Sequence, residues 1–165
     1  MIELLERIYV AGDYACPPPR RDGDNGGDWA VVHACKSPCH KQAVGYRGNL
    51  DKTHPNYLVL EGERDLYLNM IDPPVPLFKP ELFSAALRFA DRHWNDGRKV
   101  LFHCNEGRSR APSLILLYGA KVRSFFSNAS FAEARRDFEG LYDIYLPGCG
   151  ISTYLTEHWD EIGAA

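Results

Sequence analysis

The chain has 165 residues, 45% of them hydrophobic and 25% charged, an ordinary mixture for one soluble domain with a real core. Its net charge of −3 excludes a nucleic-acid binder that works through a broad basic surface, though not a small local anion site. No apolar run has bilayer length, the N-terminus lacks a basic-then-apolar secretion signal, and five cysteines do not read as a disulfide framework, so a single domain over 1–165 in the reducing cytoplasm is expected.

In chain order, Ile8-Tyr9-Val10-Ala11 reads as an edge strand stopped by Gly12-Asp13. Residues 16–28 hold Pro17-Pro18-Pro19 and a glycine- and aspartate-rich run, which is loop chemistry. Trp29 to Ala34 is apolar on both faces, as in a buried strand. Residues 36–56 are polar and irregular, a second long loop. Tyr57–Leu60 and Leu66–Ile71 read as further strands, and Asp72 opens the loop Asp72-Pro73-Pro74-Val75-Pro76. Pro80 and Glu81 start a helix, in which Leu82, Phe83, Ala86, Leu87 and Ala90 form one apolar face up to Asn95-Asp96-Gly97.

Lys99 to His103 is a short buried strand, and Ala111 to about Phe126 a helix apolar nearly all round. Ser130 caps the next helix, with Glu133 as its capping-box partner. Pro147 to Gly150 is a turn, and Ile151 to Ile162 a last helix. Strands interleaved with helices predict an α/β fold: a central, mostly parallel twisted sheet of four to five strands flanked by helices.

The chemistry concentrates in His103-Cys104-Asn105-Glu106-Gly107-Arg108-Ser109-Arg110. A buried strand enters this loop and an apolar helix leaves it, so backbone N–H groups and the positive helix N-terminus converge on one spot. Gly107 lets the backbone curl, and the result is an anion nest of phosphate size. Arg110, in the first helical turn, presents a planar fork to two phosphate oxygens. Cys104 sits at the strand end, in a positive field that favours its thiolate form. A thiolate beneath a bound phosphate suits in-line attack and a covalent phosphocysteine. A lone buried cysteine is usually structural; here strand, glycine, arginine and helix surround it together.

His-Cys, five residues and Arg resembles the signature of the protein tyrosine and dual-specificity phosphatase family, and Gly107-Arg108-Ser109-Arg110 resembles its small dual-specificity branch. The resemblance covers nearly the whole chain and implies that fold, no metal or other cofactor, and a phosphomonoester substrate. A phosphotyrosine protein is the first choice, with phosphoserine or phosphothreonine beside it. A phosphoinositide or RNA 5′-phosphate is the alternative, and a slow phosphate-binding interaction module the alternative of another class. The family's general acid is an aspartate on a loop about thirty residues before the cysteine, which implies Asp72 here. Asp65 is the runner-up, placed by its strand at the far end of the sheet.

The resemblance also implies that His103 orients the loop, while Ser109 is expected to hydrogen-bond within it. Glu106 is expected to point outwards and Arg108 to pair with it. After the arginine most active members carry Ser or Thr, but this chain has Ala111. Arg110-Ala111-Pro112 resembles the phosphatase-of-regenerating-liver branch, whose prenylation box the C-terminal Gly163-Ala164-Ala165 lacks, so no membrane anchor is expected.

That branch implies one more role: Cys35, just after its strand, is placed to pair with Cys104 under oxidation. His33, Cys35, Cys39 and His40 crowd one segment. Their spacing fits no familiar zinc framework, and a strand end does not easily wrap a metal, so none is expected there.

Overall fold

Six strands pair in the order β1-β2-β6-β3-β5-β4 in the computed structural model, which describes residues 1–12 and 28–163. They are β1 (Ile2–Leu5), β2 (Ile8–Ala11), β3 (Trp29–His33), β4 (Val59–Glu61), β5 (Asp65–Leu68) and β6 (Lys99–His103). Four parallel strands, β2, β6, β3 and β5, make the centre, and β1 and β4 close the edges antiparallel. The loop expected over 16–28 lies outside the described residues, apart from Asp28.

The sheet is mostly parallel as expected, but among the described residues it has six strands, not four to five. The additional strand is β1, in which only Leu4 is buried, so its sequence carries no clear two-residue period. Its pairing moves β2 from the edge to the interior. The segment after β3 is also more regular than its polar sequence implied. Lys36–His40 forms a π-type turn and Lys41–Val44 the short helix α1, which ends at Gly45 with φ of 87°.

Four longer helices follow: α2 (Pro80–Asn95), α3 (Arg110–Lys121), α4 (Phe131–Leu141) and α5 (Cys149–His158). Helix α3 stops at Lys121, short of the expected Phe126, and α5 begins at Cys149, ahead of the expected Ile151. Ser130 caps α4 by accepting from the Glu133 amide at 3.2 Å. The return half of the box is not made with Ser130, because the Glu133 carboxylate accepts from Ser127 Oγ.

Alternation along the strands divides the sheet into two faces. Ile8, Val10, Ala30, Val32, Leu66, Leu68, Val100 and Phe102 join α2–α5 in the main core. Phe83 of α2 and Tyr154 of α5 stack there with ring centroids 5.0 Å apart. Ala11, Trp29, Val31 and Leu101 form a smaller cluster of their own. By the same alternation, His33 and His103 follow Val31 and Leu101, while Cys104 follows Phe102 into the main core. Among the described residues no helix is long and apolar enough to cross a membrane.

Candidate active site

Cys104 directly follows β6, and Arg110 opens α3, so the loop between them closes over the C-terminal end of the central strand. Cys104 is 2% exposed; its amide donates to the Ala11 carbonyl at 3.4 Å, and its sulfur accepts from the Gly107 amide at 3.3 Å. Gly107 has φ of 73°, and a Cβ there would come within 2.9 Å of the Ala11 backbone. The tight curl therefore needs glycine twice over, for its φ and for the close approach of strand β2.

Arg110 is buried, and its contacts are divided along the guanidinium. Nη1 donates to the carbonyls of Ala34 (3.1 Å) and Met70 (2.9 Å), and Nη2 donates to Asn105 Oδ1 (2.6 Å). Nε is enclosed and has no acceptor among the described residues. A buried N–H without an acceptor is costly, and Arg110 lines the cleft in which a phosphate oxygen would supply one.

The cleft has a volume of about 430 Å³ and is lined by Asp72, Cys104, Arg110, Glu106, Arg108 and Leu146 among others. The structure thus brings Asp72 and the Cys104–Arg110 loop to one opening. Asp65 is not among its lining residues; it lies on β5 and meets His33 Nε2 at 3.0 Å. Asp72 is seated against the turn before α5. A Cβ on Gly148 would collide with the Asp72 carboxylate, although its φ of −60° suits any residue.

Two expectations about the loop are corrected, those for Ser109 and Arg108. Ser109 Oγ accepts from the Gly148 amide at 2.9 Å, and so ties the loop to the α5 turn across the cleft. Arg108 Nε donates to the Ile144 carbonyl at 3.4 Å, drawn to that neighbouring segment in place of the expected Glu106. Glu106 is exposed, at the rim of the cleft. Ala111 is fully buried in the first turn of α3.

Sequence reasoning missed the far wall, Leu146 to Cys149, because nothing local links it to a loop some forty residues earlier. It also missed the bridging role of Asn105, whose Nδ2 donates to Cys35 Sγ (3.4 Å) and the Ser37 carbonyl (3.1 Å) while its Oδ1 holds Arg110. Cys35 is held well below the usual thiol range, at about 6, first by a hydrogen bond from Cys39 against the opposing effect of burial, and further by Arg110 and His103. His103 is fully buried behind the loop, with Nε2 at 2.7 Å from His33 Nδ1 and its Nδ1 enclosed without a partner among the described residues.

No family model matches the sequence, and no curated protein matches it. Solved structures do match. The human tyrosine phosphatase-like serine/threonine/tyrosine-interacting protein is 18% identical over 96% of this chain and 95% of its own, with a TM-score of 0.66. Human DUSP28 is 13% identical over 98% and 96%, with a TM-score of 0.66. PTPMT1, solved in complex with PI(5)P, is 16% identical over 98% and 95%, with a TM-score of 0.61. At such identities the likeness is one of fold: this chain has the mixed α/β fold of dual-specificity phosphatase structures.

Proposed function

We propose that the chain is a cysteine-dependent phosphomonoester hydrolase of the tyrosine or dual-specificity type. The observation that carries this reading is the unpartnered Nε of buried Arg110 in the cleft that Cys104 and Asp72 also line. A phosphate there accepts from Arg110 Nε and from amides of Asn105 to Arg110, with phosphorus above Cys104 Sγ. The thiolate attacks in line, the P–O bond to the leaving group breaks, and Asp72 protonates the departing oxygen. In the second step Asp72 takes a proton from water, the water oxygen attacks phosphorus, and the Cys104 thiolate leaves.

The apolar side of the cleft supports an aryl phosphate such as phosphotyrosine in a protein. Leu146, 60% exposed, and Pro147 offer a wall for a ring, which a small aliphatic phosphoserine would leave wet. The substrate is proposed to be a cytoplasmic phosphoprotein.

The test is turnover of an aryl phosphate, a phosphotyrosine peptide and PI(5)P by wild type and Cys104→Ser. Wild type is expected to hydrolyse the first two and to yield a phosphocysteine at residue 104 on acid quench. Cys104→Ser is expected to bind vanadate or phosphate without turnover. Appreciable activity of Cys104→Ser would remove the mechanism, and preference for PI(5)P would move the substrate to lipids.

A further inference from the structure

His33 and His103 face each other across the paired strands β3 and β6, in register. The π-type turn after β3 folds Cys39 back beside them. Cys39 Sγ lies 3.8 Å from His103 Nε2, which lies 2.7 Å from His33 Nδ1, and all three donor atoms fall within 4.8 Å of one another. Cys39, His33 and His103 are each at most 3% exposed, and Cys35 beside Cys39 is fully buried. The sequence argued against a metal because a strand end cannot surround one. The structure removes that objection by supplying His103 from a strand far along the chain.

The fourth candidate of the crowded segment is excluded by its contacts. His40 Nδ1 meets Tyr46 Oη at 3.0 Å and its Nε2 meets the Asn56 carbonyl at 2.9 Å, so both ring nitrogens are engaged elsewhere. The remaining geometry has the features of a soft-metal site. Asp65 Oδ1 accepts from His33 Nε2, which leaves the Nδ1 lone pair directed at His103. A carboxylate behind a histidine is the outer-shell partner that metal-ligating histidines usually have. Two imidazoles 2.7 Å apart share a proton, and a tetrahedral zinc with bonds of about 2.0 Å to nitrogen and 2.3 Å to sulfur needs them opened by roughly 0.6 Å.

We propose that His33, Cys39 and His103 form a structural site for zinc or a similar divalent ion behind the phosphate-binding loop, with Cys35 hydrogen-bonded to Cys39 at its side. Sulfur and imidazole donors select zinc over magnesium or calcium, which prefer oxygen. The ion replaces the proton between the imidazoles and fixes the root of the loop at His103. Through Cys35 and Asn105 it also steadies the guanidinium of Arg110. The site stands whether or not the phosphatase reading holds.

The test uses full-length Cys104→Ser protein, so that the candidate nucleophile takes up no metal. The protein is reduced, stripped with chelator and titrated with Co²⁺, then with Zn²⁺. One equivalent of Co²⁺ is expected to give a sulfur-to-metal charge-transfer band and the visible bands of a tetrahedral ion, both bleached by Zn²⁺. Cys39→Ser and His33→Gln are expected to abolish the band, Cys35→Ser to reduce it, and Asp65→Asn to weaken affinity roughly 10- to 100-fold. A second measurement needs no variant at residues 33, 35, 39 or 103: Cys35 and Cys39 are buried and meet reagent only through local opening, and zinc is expected to slow their alkylation while leaving that of exposed Cys149 unchanged. Equal alkylation of Cys35 and Cys39 with and without zinc, or Co²⁺ spectra unchanged by Cys39→Ser, would overturn the proposal.

Discussion

Replacing Ala111 by Ser tests which step limits turnover. Hydrolysis of a phosphocysteine returns negative charge to Cys104 Sγ, which accepts a hydrogen bond from the Gly107 amide at 3.3 Å. Ala111 adds no donor, and it is fully buried at the start of α3. A hydroxyl there that reaches the sulfur contributes roughly 1.5–3 kcal/mol, as hydrogen bonds to charged groups do. At 1.36 kcal/mol per decade, breakdown should accelerate roughly 10- to 100-fold. The assay is rapid-quench hydrolysis of an aryl phosphate. Wild type is expected to show a burst of phenol followed by slow steady turnover, and Ala111→Ser a smaller burst with a faster steady rate. Thermal unfolding supplies the control. A buried hydroxyl without a partner costs about 1–3 kcal/mol, and each kcal/mol lowers Tm by roughly 2–4 °C in a chain of this size. An unchanged Tm together with a faster steady rate means that the hydroxyl has found the sulfur. No burst in wild type and no change in steady rate would refute the reasoning, because breakdown would then not be limiting.

Asp72→Asn is expected to lose roughly 10²- to 10⁴-fold on alkyl phosphates, whose leaving groups need a proton, and far less on activated aryl phosphates; an equal loss on both would point away from Asp72 as the acid. Gly148→Ala should imitate that pattern in milder form, since the added methyl displaces the Asp72 carboxylate while the backbone conformation tolerates alanine. A wild-type dependence on leaving group in Gly148→Ala would separate Asp72 from the chemistry. Peroxide applied to chelator-stripped protein is expected to join Cys35 to Cys104. Two thiols lose two electrons and two protons, peroxide leaves as two waters, and dithiothreitol restores activity. Peptide mapping that finds Cys35 joined to Cys39 instead would refute the pairing.

Where local pattern decides structure, the sequence was sufficient. Strand β3 and strand β6 are short runs buried on both faces, and α2 shows its apolar stripe through Leu82, Phe83, Ala86 and Leu87. The loop between β6 and α3 was legible for a different reason, since strand, glycine, arginine and helix occupy consecutive positions. What could not be read are choices among distant partners. Arg108 is close to Glu106 in sequence but turns to Ile144, and Ser109 serves the Gly148 amide across the cleft. The polar segment after β3 looked like a loop because its order comes from contacts with β5, with His103 and with Asn105 of the phosphate-binding loop, not from a period of its own. His103 is the sharpest case: beside Cys104 it reads as part of the loop, and only the strand register shows that it faces His33.

Arg110 joins the structural and the chemical halves of the site. Nη1 bonds the carbonyls of Ala34 and Met70, which follow β3 and β5, so one nitrogen draws two strand ends toward the helix that begins at Arg110. Nη2 is held by Asn105, and Nε has no acceptor among the described residues. The guanidinium is thus held in place before any ligand arrives, which lowers the ordering cost of binding. The same division explains why lysine is a poor substitute. One ammonium replaces a single contact, but it cannot satisfy two buried carbonyls, hold Asn105 and present a further N–H to phosphate in fixed directions. Loss of the arginine should therefore cost stability as well as anion affinity, because the Ala34 carbonyl would lose its Arg110 donor and the Met70 carbonyl would keep only the Lys36 amide.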